Sequence, residues 1–180
     1  MGDLALLGTP PMAGSLRLEP IAEQHRAALK AACAEDREIW PIYSVSFDPD
    51  HFDAQFDTMR ARPASNVFAV IDDGYLVGMS AYLNQKPEWQ TLEIGNTYIV
   101  PSVRGTGLNR RLKDLMIGHA FACGFRRVEF RIDDRNARSK AATAKLGAHF
   151  EGLLRAERIT WTGHLRDTAL FSILKEEWTA

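Results

Sequence analysis

The sequence predicts one domain of mixed α/β class, and three observations support this prediction. Two apolar runs, residues 67–71 and 76–83, flank an Asp-Asp-Gly turn and form a β-hairpin signature. A strand, a helix and a strand then follow one another over residues 92–132, which is typical of a βαβ unit. The 180 residues are 46% hydrophobic, and no linker divides them. A chain of this length buries about 70% of its unfolded surface in one core.

The first third of the chain is predicted to combine one strand with helices. Residues 1–14 are rich in glycine and proline, so we expect a loose segment there. Alternation over residues 16–18 predicts a short strand, and the helix formers of residues 23–34 predict a helix. Prolines interrupt residues 40–49, after which apolar residues recur at helical spacing from 52 to 59.

The second half of the chain is predicted to alternate strands and helices. Apolar residues from 92 to 100 predict a strand that ends at Pro101. An amphipathic helix is predicted between Gly107 and Gly124, because positions 108, 112, 115, 116 and 120 are apolar. Residues 128–132 alternate as a strand, residues 138–146 predict a second helix, and two late strands over 150–161 and 164–174 flank a Thr-Gly turn.

Charge is distributed unevenly along the chain. The total of 22 basic and 23 acidic side chains gives a net charge of −1. Residues 104–158 hold 13 basic and 6 acidic side chains, a net of +7, whereas residues 1–103 hold 7 and 14, a net of −7. The basic segment indicates a polyanionic partner, for which a small phosphorylated ligand is sufficient. Nucleic acid is disfavoured because long Lys/Arg runs are missing, and solvation of two exposed helices is the alternative explanation.

The sequence favours a cytoplasmic protein. Residues 1–8 have no basic lead before their short apolar stretch, and the longest apolar runs are strand-sized, so we expect neither a secretory signal nor a membrane span. Cys33 and Cys123 are too far apart for a disulfide framework or a Cys-x-x-Cys zinc site. We expect them to be buried free thiols, and we expect no bound metal.

The segment Arg-Gly-Thr-Gly-Leu-Asn at residues 104–109 predicts an anion site. It lies between a predicted strand and a helix start, where the first N–H groups lack intrahelical partners and the helix dipole adds about half a positive charge. Gly105 and Gly107 allow an anion to approach the backbone closely. The segment is neither a Walker A loop nor a Rossmann fingerprint, and an ordinary glycine-containing loop is the alternative. Three arginines add mobile cations: Arg104, Arg110 and Arg111.

Three stretches in this order resemble the GCN5-related N-acetyltransferase (GNAT) superfamily. They are Glu-Ile-Gly-Asn-Thr-Tyr-Ile-Val-Pro at 93–101, Arg-Gly-Thr-Gly at 104–107 and Asp-Asp-Arg-Asn-Ala-Arg-Ser at 133–139. The resemblance spans residues 16–178 and is strongest to the branch of the ribosomal-protein N-terminal alanine acetyltransferases. It implies a central twisted, mixed, mostly antiparallel sheet of six to seven strands, flanked by helices on both faces. It also implies transfer of an acetyl group from acetyl-CoA to a primary amine of a peptide or small molecule, by direct attack in a ternary complex, and a homodimer.

The resemblance assigns coenzyme A to the 104–109 turn and its neighbours. The turn binds the pyrophosphate through backbone N–H groups, and the N–H of Ile99 or Val100 polarises the thioester carbonyl. Asn136 holds the pantetheine arm. Ser139 protonates the leaving thiolate, because Thr143 occupies the position of a tyrosine acid in many members. The implied coenzyme-binding residues are Ile99, Val100, Arg104, Gly105, Thr106, Gly107, Leu108, Asn109, Arg110, Asn136 and Ser139.

Two features leave alternatives open at the coenzyme site. Asn109 departs from the small residue usual at its position, so either its side chain contacts the phosphate arm or the helix start is reshaped. Asn136 and Ser139 stand at a predicted helix start, where capping the helix is their alternative role.

A base must remove the proton from the ammonium group of the acceptor. The candidates are Glu93, on the predicted central strand, and Glu157, on a late strand, while His149 and His164 are weaker candidates. Ordinary surface or ion-paired acids are the alternative interpretation of both glutamates. Direct attack needs no enzyme nucleophile, so we expect Cys123 to be structural.

An aromatic cluster of Trp40, Tyr43 and Phe47 falls where this family builds its acceptor pocket. The acidic N-terminal half would attract a cationic amine to such a pocket, and packing in the core is the alternative role of the aromatics. Two other functions stay open at this point. One is a CoA-binding regulatory module without useful catalysis, and the other is a nucleic-acid-binding domain that uses the basic segment.

Overall fold

A computed structural model describes residues 1–179 and contains an eight-stranded sheet flanked by helices. The strands are β1 (Met12–Ala13), β2 (Leu16–Pro20), β3 (Asn66–Asp72), β4 (Tyr75–Lys86), β5 (Thr91–Ile99), β6 (Arg127–Asp133), β7 (His149–Ile159) and β8 (Leu165–Leu174). The α-helices are α1 (Leu4–Leu7), α2 (Arg26–Ala34), α3 (Phe52–Ala61), α4 (Leu108–Ala122) and α5 (Ala137–Ala144). Short 3-10 turns cover Glu23–His25, Arg37–Ile42, Pro101–Val103 and Lys175–Glu177.

The sheet confirms the predicted mixed α/β class. Its strand order is β1-β2-β3-β4-β5-β6-β8-β7, and its ladders are antiparallel except for the parallel pair β5 and β6. The predicted hairpin is β3 and β4, and the predicted βαβ unit is β5, α4 and β6. The sheet has eight strands, whereas the resemblance implied six to seven, because the two residues of β1 add a strand by pairing with β2. A strand that short has no alternating pattern for a sequence to reveal.

The N-terminal segment, expected to be loose, is ordered. Asp3 caps α1 by accepting a hydrogen bond from the N–H of Leu6, and Leu7 is fully buried. The N–H of Gly2 donates to the carbonyl of Pro87 at 2.9 Å, and the N–H of Asp3 donates to the carbonyl of Cys123 at 2.8 Å. Burial of an apolar side chain and these long-range hydrogen bonds hold a segment whose composition alone predicts a loop.

Helix α4 packs its predicted apolar stripe into the core. Leu108, Leu112, Met116 and Ala120 are all at most 1% exposed. The hydroxyl of Tyr82, on β4, donates to the carbonyl of Met116 at 2.8 Å and ties this helix to the sheet. The helix is therefore fixed against the sheet with its N-terminus at the end of β5.

The strands β5 and β6 pair only at their beginnings. Their parallel ladder runs from Thr91 with Arg127 to Glu93 with Glu129. Beyond it, β5 bulges at Asn96, whose φ is +50°, and the two strands diverge. The gap between them is the opening on which the candidate site is built. Within residues 1–179, no helix combines the length and the apolar character needed to cross a membrane.

Candidate active site

A cavity of about 800 Å³ occupies the gap between β5 and β6. Residues at the start of α4 and along α5 line one end of it, and residues of the 39–47 segment, α3, β7 and β8 line the other. A cavity of this volume is within the usual range for a small-molecule or cofactor site. It therefore brings the predicted anion turn and the predicted acceptor region into one space.

The predicted anion turn forms the first end of the cavity. Gly105 and Gly107 have φ values of +81° and +87°, a conformation that glycine adopts at little cost. An added Cβ at either glycine would project into open space, so the backbone is bare on that side. The first intrahelical hydrogen bond of this turn is from the N–H of Arg111 to Gly107, which leaves the N–H groups of Leu108, Asn109 and Arg110 without a helical acceptor.

Two of the predicted coenzyme residues, Thr106 and Leu108, do not line the cavity. The hydroxyl of Thr106 turns back and donates to the carbonyl of Val103 at 2.8 Å, and the side chain of Leu108 is 1% exposed within the core. Gly105, Gly107 and Asn109 line the cavity. The turn thus presents N–H groups, and most of its side chains serve to hold its shape.

Arg104 is pinned rather than mobile. Its Nε donates to the carbonyl of Ile99 at 2.8 Å, and its Nη1 bonds the carboxylate of Asp36. Its guanidinium also lies 5.6 Å from the centre of the Tyr98 ring. Arg104 therefore fastens the turn to the end of β5, a structural role that its spacing from the glycines does not reveal.

The other predicted cations are also ion-paired. Arg110 bonds Asp114 at 2.8 Å, and Arg111 bonds Asp72 at 3.0 Å. Two further basic residues that were not predicted line the cavity: Arg138 on α5 and Lys145 directly after it. They lie far from the turn in sequence, and only the packing of α5 beside α4 brings their charges to the same end.

The two predicted donors to the thioester carbonyl differ in whether their N–H group is already hydrogen-bonded. The N–H of Val100 donates to the carbonyl of Val77 at 2.9 Å, so this group is already used, and Val100 does not line the cavity. The prediction of Val100 as the catalytic donor is therefore wrong. Along an antiparallel strand successive residues direct their N–H groups to opposite sides, so the N–H of Ile99 faces the gap.

Asn136 and Ser139 both line the cavity at the start of α5. The side-chain oxygen of Asn136 accepts a hydrogen bond from the N–H of Ser139 at 2.9 Å and caps the helix. The capping role of Asn136 is thus present, and its NH2 group is left for a ligand. Thr143 also lines the cavity, but it is only 6% exposed.

The structure separates the two candidate bases. Glu93 lines the cavity, is 8% exposed and accepts a hydrogen bond from Asn84 at 2.7 Å. Its carboxylate lies 3.7 Å from Arg131, yet burial dominates and raises the pKa of Glu93. A carboxyl group with a raised pKa in a cavity is suited to accept a proton near neutral pH.

Glu157 is a structural acid. Hydrogen bonds from Arg158 lower the pKa of Glu157 to about 2, with help from the hydroxyl of Thr168. Glu157 does not line the cavity, and the exposed His149 and His164 do not line it either. A carboxylate held by a guanidinium is too weak a base for the predicted step, so the prediction for Glu157 is wrong for this reason.

Lys113 is a cavity residue that the sequence analysis missed. It is 7% exposed, and its Nζ donates to the hydroxyl oxygen of Thr97 at 2.6 Å. Burial lowers the pKa of Lys113 to about 7, although the Glu93 carboxylate opposes the shift. The helical spacing of the sequence indicates this burial, because position 113 precedes the buried Met116 and Ile117 by three and four residues and shares their helix face.

The predicted aromatic pocket is only partly a pocket. Trp40 is fully buried and stacks on Tyr98 with ring centres 5.0 Å apart, so it belongs to the core and does not line the cavity. Tyr43 and Phe47 do line it, and the Tyr43 hydroxyl donates to the carbonyl of Thr97 at 2.8 Å. The prediction that Trp40 forms the acceptor pocket is wrong, because packing removes the ring from the cavity.

The sequence of residues 15–149 matches the family model of the acetyltransferase (GNAT) domain. The chain belongs to the GNAT acetyltransferase family. As a GNAT enzyme it is an acetyl-CoA-dependent N-acetyltransferase, which confirms the activity class that the resemblance implied. The match covers the anion turn, Ser139 and the gap, but not β8.

Solved structures support the GNAT assignment over almost the whole chain. A GNAT-family protein of Chromobacterium violaceum is 31% identical, with a TM-score of 0.87 over 96% of this chain and 89% of its own. A GCN5-related N-acetyltransferase from Brucella melitensis is 30% identical, with a TM-score of 0.83 over 94% and 80% of the two chains. Mycobacterium smegmatis RimJ in complex with CoA-disulfide is 22% identical, with a TM-score of 0.79 over 95% and 88%. No curated protein matches this chain in sequence.

The far end of the GNAT cavity is basic, not acidic as expected. We call it the arginine end, and it is lined by Ser44 and four arginines: Arg62, Arg131, Arg158 and Arg166. The carboxylates among the cavity-lining residues are Glu93 and Asp133. Among residues 1–179, no three His, Cys, Asp or Glu side chains converge in the manner of a metal site.

Proposed function

We propose that this enzyme acetylates a primary amine by direct attack on acetyl-CoA in a ternary complex, with the reacting atoms in the gap between β5 and β6. One observation carries the proposal. A single cavity joins the bare N–H groups of the 105–110 turn to the buried carboxyl of Glu93. Acetyl-CoA supplies the activated acetyl group, and this chain supplies the binding, orientation and proton transfers.

The turn fits the pyrophosphate of coenzyme A. An anion there meets the free N–H groups of Leu108, Asn109 and Arg110 and the dipole of α4. Arg138, on α5, and Lys145, directly after it, supply positive charge. The N–H of Ile99 donates to the thioester carbonyl oxygen as negative charge develops on it. A donor of this kind is worth about 3 to 4 kcal/mol of barrier.

Two side chains handle protons. Glu93 accepts the proton that the acceptor ammonium must lose, directly or through one water, before its nitrogen attacks the carbonyl carbon. The carbon–sulfur bond then breaks, and Ser139 donates a proton to the departing thiolate. The second proton, which the attacking nitrogen loses as the amide forms, restores the Ser139 hydroxyl. The chain needs no nucleophile of its own, and burial raises the pKa of the Cys33 thiol to about 12.

The acceptor class implied by the resemblance is a peptide N-terminus or a small-molecule amine. The likeness to RimJ supports the fold at 22% identity, and the ribosomal-protein branch is part of this proposal. Several basic residues of the 104–158 segment line the cavity, among them Arg131, Arg138 and Arg158. Because their charges face an enclosed space, they favour a small phosphorylated ligand over nucleic acid. The cytoplasmic location and the homodimer stay predictions.

Thermal unfolding with and without acetyl-CoA tests the coenzyme site. Saturation at about 100 times the dissociation constant stabilises by about 2.7 kcal/mol, which raises Tm by about 5 to 10 °C for a domain of this size. ATP at the same concentration is the control for general phosphate binding. No shift at millimolar acetyl-CoA would remove the proposal.

Thiol release with a panel of amines then separates an enzyme from a CoA-binding regulatory module. The enzyme releases thiol only when a suitable amine is present, whereas a regulatory module binds acetyl-CoA and releases none. Ser102, which is exposed outside the cavity, provides Ser102→Ala as the matched control for Ser139→Ala.

A further inference from the structure

Arg158 and Arg166 lie directly opposite each other on β7 and β8, and both line the cavity. Like charges in this position destabilise a sheet. The ladder between the two strands shifts by two residues between Leu154 and Arg158, and Ala156 adopts a φ of +52°. The distortion of β7 thus brings the guanidinium of Arg158 beside that of Arg166, an arrangement that packing does not require.

Arg166 is buried, and its ion pair with Asp133 includes no hydrogen bond. It is 5% exposed, and its hydrogen bonds go to neutral atoms, the hydroxyl of Ser44 at 2.7 Å and the carbonyl of Arg131 at 3.1 Å. Its Nε lies 3.9 Å from Asp133, beyond hydrogen-bond distance, and has no hydrogen-bond partner among the described residues. A buried charge in this state is costly, and a bound anion would relieve the cost.

The carboxylates near Arg166 are already engaged. Glu157 makes two hydrogen bonds with Arg158, and Asp133 bonds Arg135 at 2.8 Å. Arg158 also directs its Nη1 toward the hydroxyl of Ser44, at 3.4 Å. Two guanidinium groups therefore converge on one hydroxyl that neutralises neither.

We propose that the arginine end binds a carboxylate of the acceptor, so that the acceptor is a molecule carrying both a primary amine and a carboxylate. This inference rests on the proposed acetyl transfer and specifies its acceptor class. The planar fork of an arginine matches a carboxylate with two parallel hydrogen bonds. Arg131 connects Glu93 with the arginine end. Its guanidinium lies 3.7 Å from the Glu93 carboxylate, and its carbonyl accepts a hydrogen bond from Arg166.

The arrangement orients such an acceptor. Its amine faces Glu93, which takes the proton, while its carboxylate faces Arg166 and Arg158. Alkylamines and polyamines lack the carboxylate, and a polyamine places a second cation against the guanidinium groups, so both are selected against.

The test compares matched acceptors. Each protein L-amino acid is assayed beside its α-amide and its decarboxylated amine, and short peptides with and without an acidic second residue distinguish a peptide carboxylate from a free amino acid. We expect kcat/KM for the carboxylate-bearing member of the preferred set to exceed that of its neutral analogue at least tenfold. Arg166→Met should reduce this preference at least tenfold, mainly through KM. Arg155→Met, at an exposed position of β7 outside the cavity, is the matched control and should keep the preference.

Each outcome has a distinct meaning. Equal or better acetylation of neutral amines by the unaltered chain overturns the carboxylate site and leaves acetyl transfer to amines standing. Failure to acetylate any amine, despite an acetyl-CoA thermal shift, removes both. If Arg166→Met does not fold, Arg166→Lys and Arg158→Gln replace it, and an undiminished carboxylate preference in both variants overturns the inference.

Discussion

Replacing Lys113 by methionine should change how stability depends on pH. The Lys113 ammonium is buried between β5 and α4, and burial lowers its pKa from 10.5 to about 7. Below pH 7 the side chain is charged in both folded and unfolded chains, and above about pH 10.5 it is neutral in both. Between these values the unfolded chain binds more protons, so the free energy of unfolding rises with pH. At about 1.4 kcal/mol per unit, Lys113 alone adds about 2 kcal/mol between pH 7.5 and pH 9.

Urea unfolding of the unaltered chain and of Lys113→Met at pH 7.5, 8.25 and 9 measures this contribution. The variant should be the more stable relative to the unaltered chain at pH 7.5, and its advantage should fall by about 2 kcal/mol by pH 9. Lys145→Met, at an exposed position, is the matched control. A difference between Lys113→Met and the unaltered chain that stays constant over this range, within about 0.5 kcal/mol, would refute the reasoning.

Three further predictions concern the site and the sheet. Ser139→Ala should lower kcat at least tenfold and leave acetyl-CoA affinity within about twofold in a binding titration, because the coenzyme is held mainly by the turn; a parallel loss of affinity would contradict the proton-donor role. Glu93→Gln should lower kcat/KM about a hundredfold at pH 7.5, whereas Glu157→Gln should change it less than about threefold, and steady-state kinetics with the reverse order would disprove the assignment of the base. Gly78→Ala should lower the free energy of unfolding in urea by about 3 kcal/mol or more, because the added Cβ would lie 2.0 Å from the carbonyl oxygen of Tyr98. Gly118→Ala, where the added Cβ meets open space on α4, is the control and should leave this free energy unchanged or raise it.

The local parts of the fold and site could be predicted from sequence. The hairpin of β3 and β4, the apolar stripe of α4 and the Gly-x-Gly turn follow from spacings of a few residues, because helix and strand periodicity and left-handed glycines are local properties. Glu93 lies on β5, the strand that the apolar residues from 92 to 100 predicted.

Tertiary structure decided which of these residues face one another. Arg104 is pinned by Asp36, 68 residues away, and Trp40 enters the core because Tyr98 stacks on it. The sequence pattern alone could not supply these contacts, since they depend on how distant elements pack.

The sequence by itself determined the class of fold, the family and the glycine-containing turn at one end of the cavity, because each rests on local patterns and their order. The choice of Ile99 over Val100 and the pairing of Arg158 with Arg166 came only from the tertiary structure. The register between strands sets which backbone groups are free and which side chains meet, and a shift of one residue reverses both. Register depends on contacts between residues far apart in the chain.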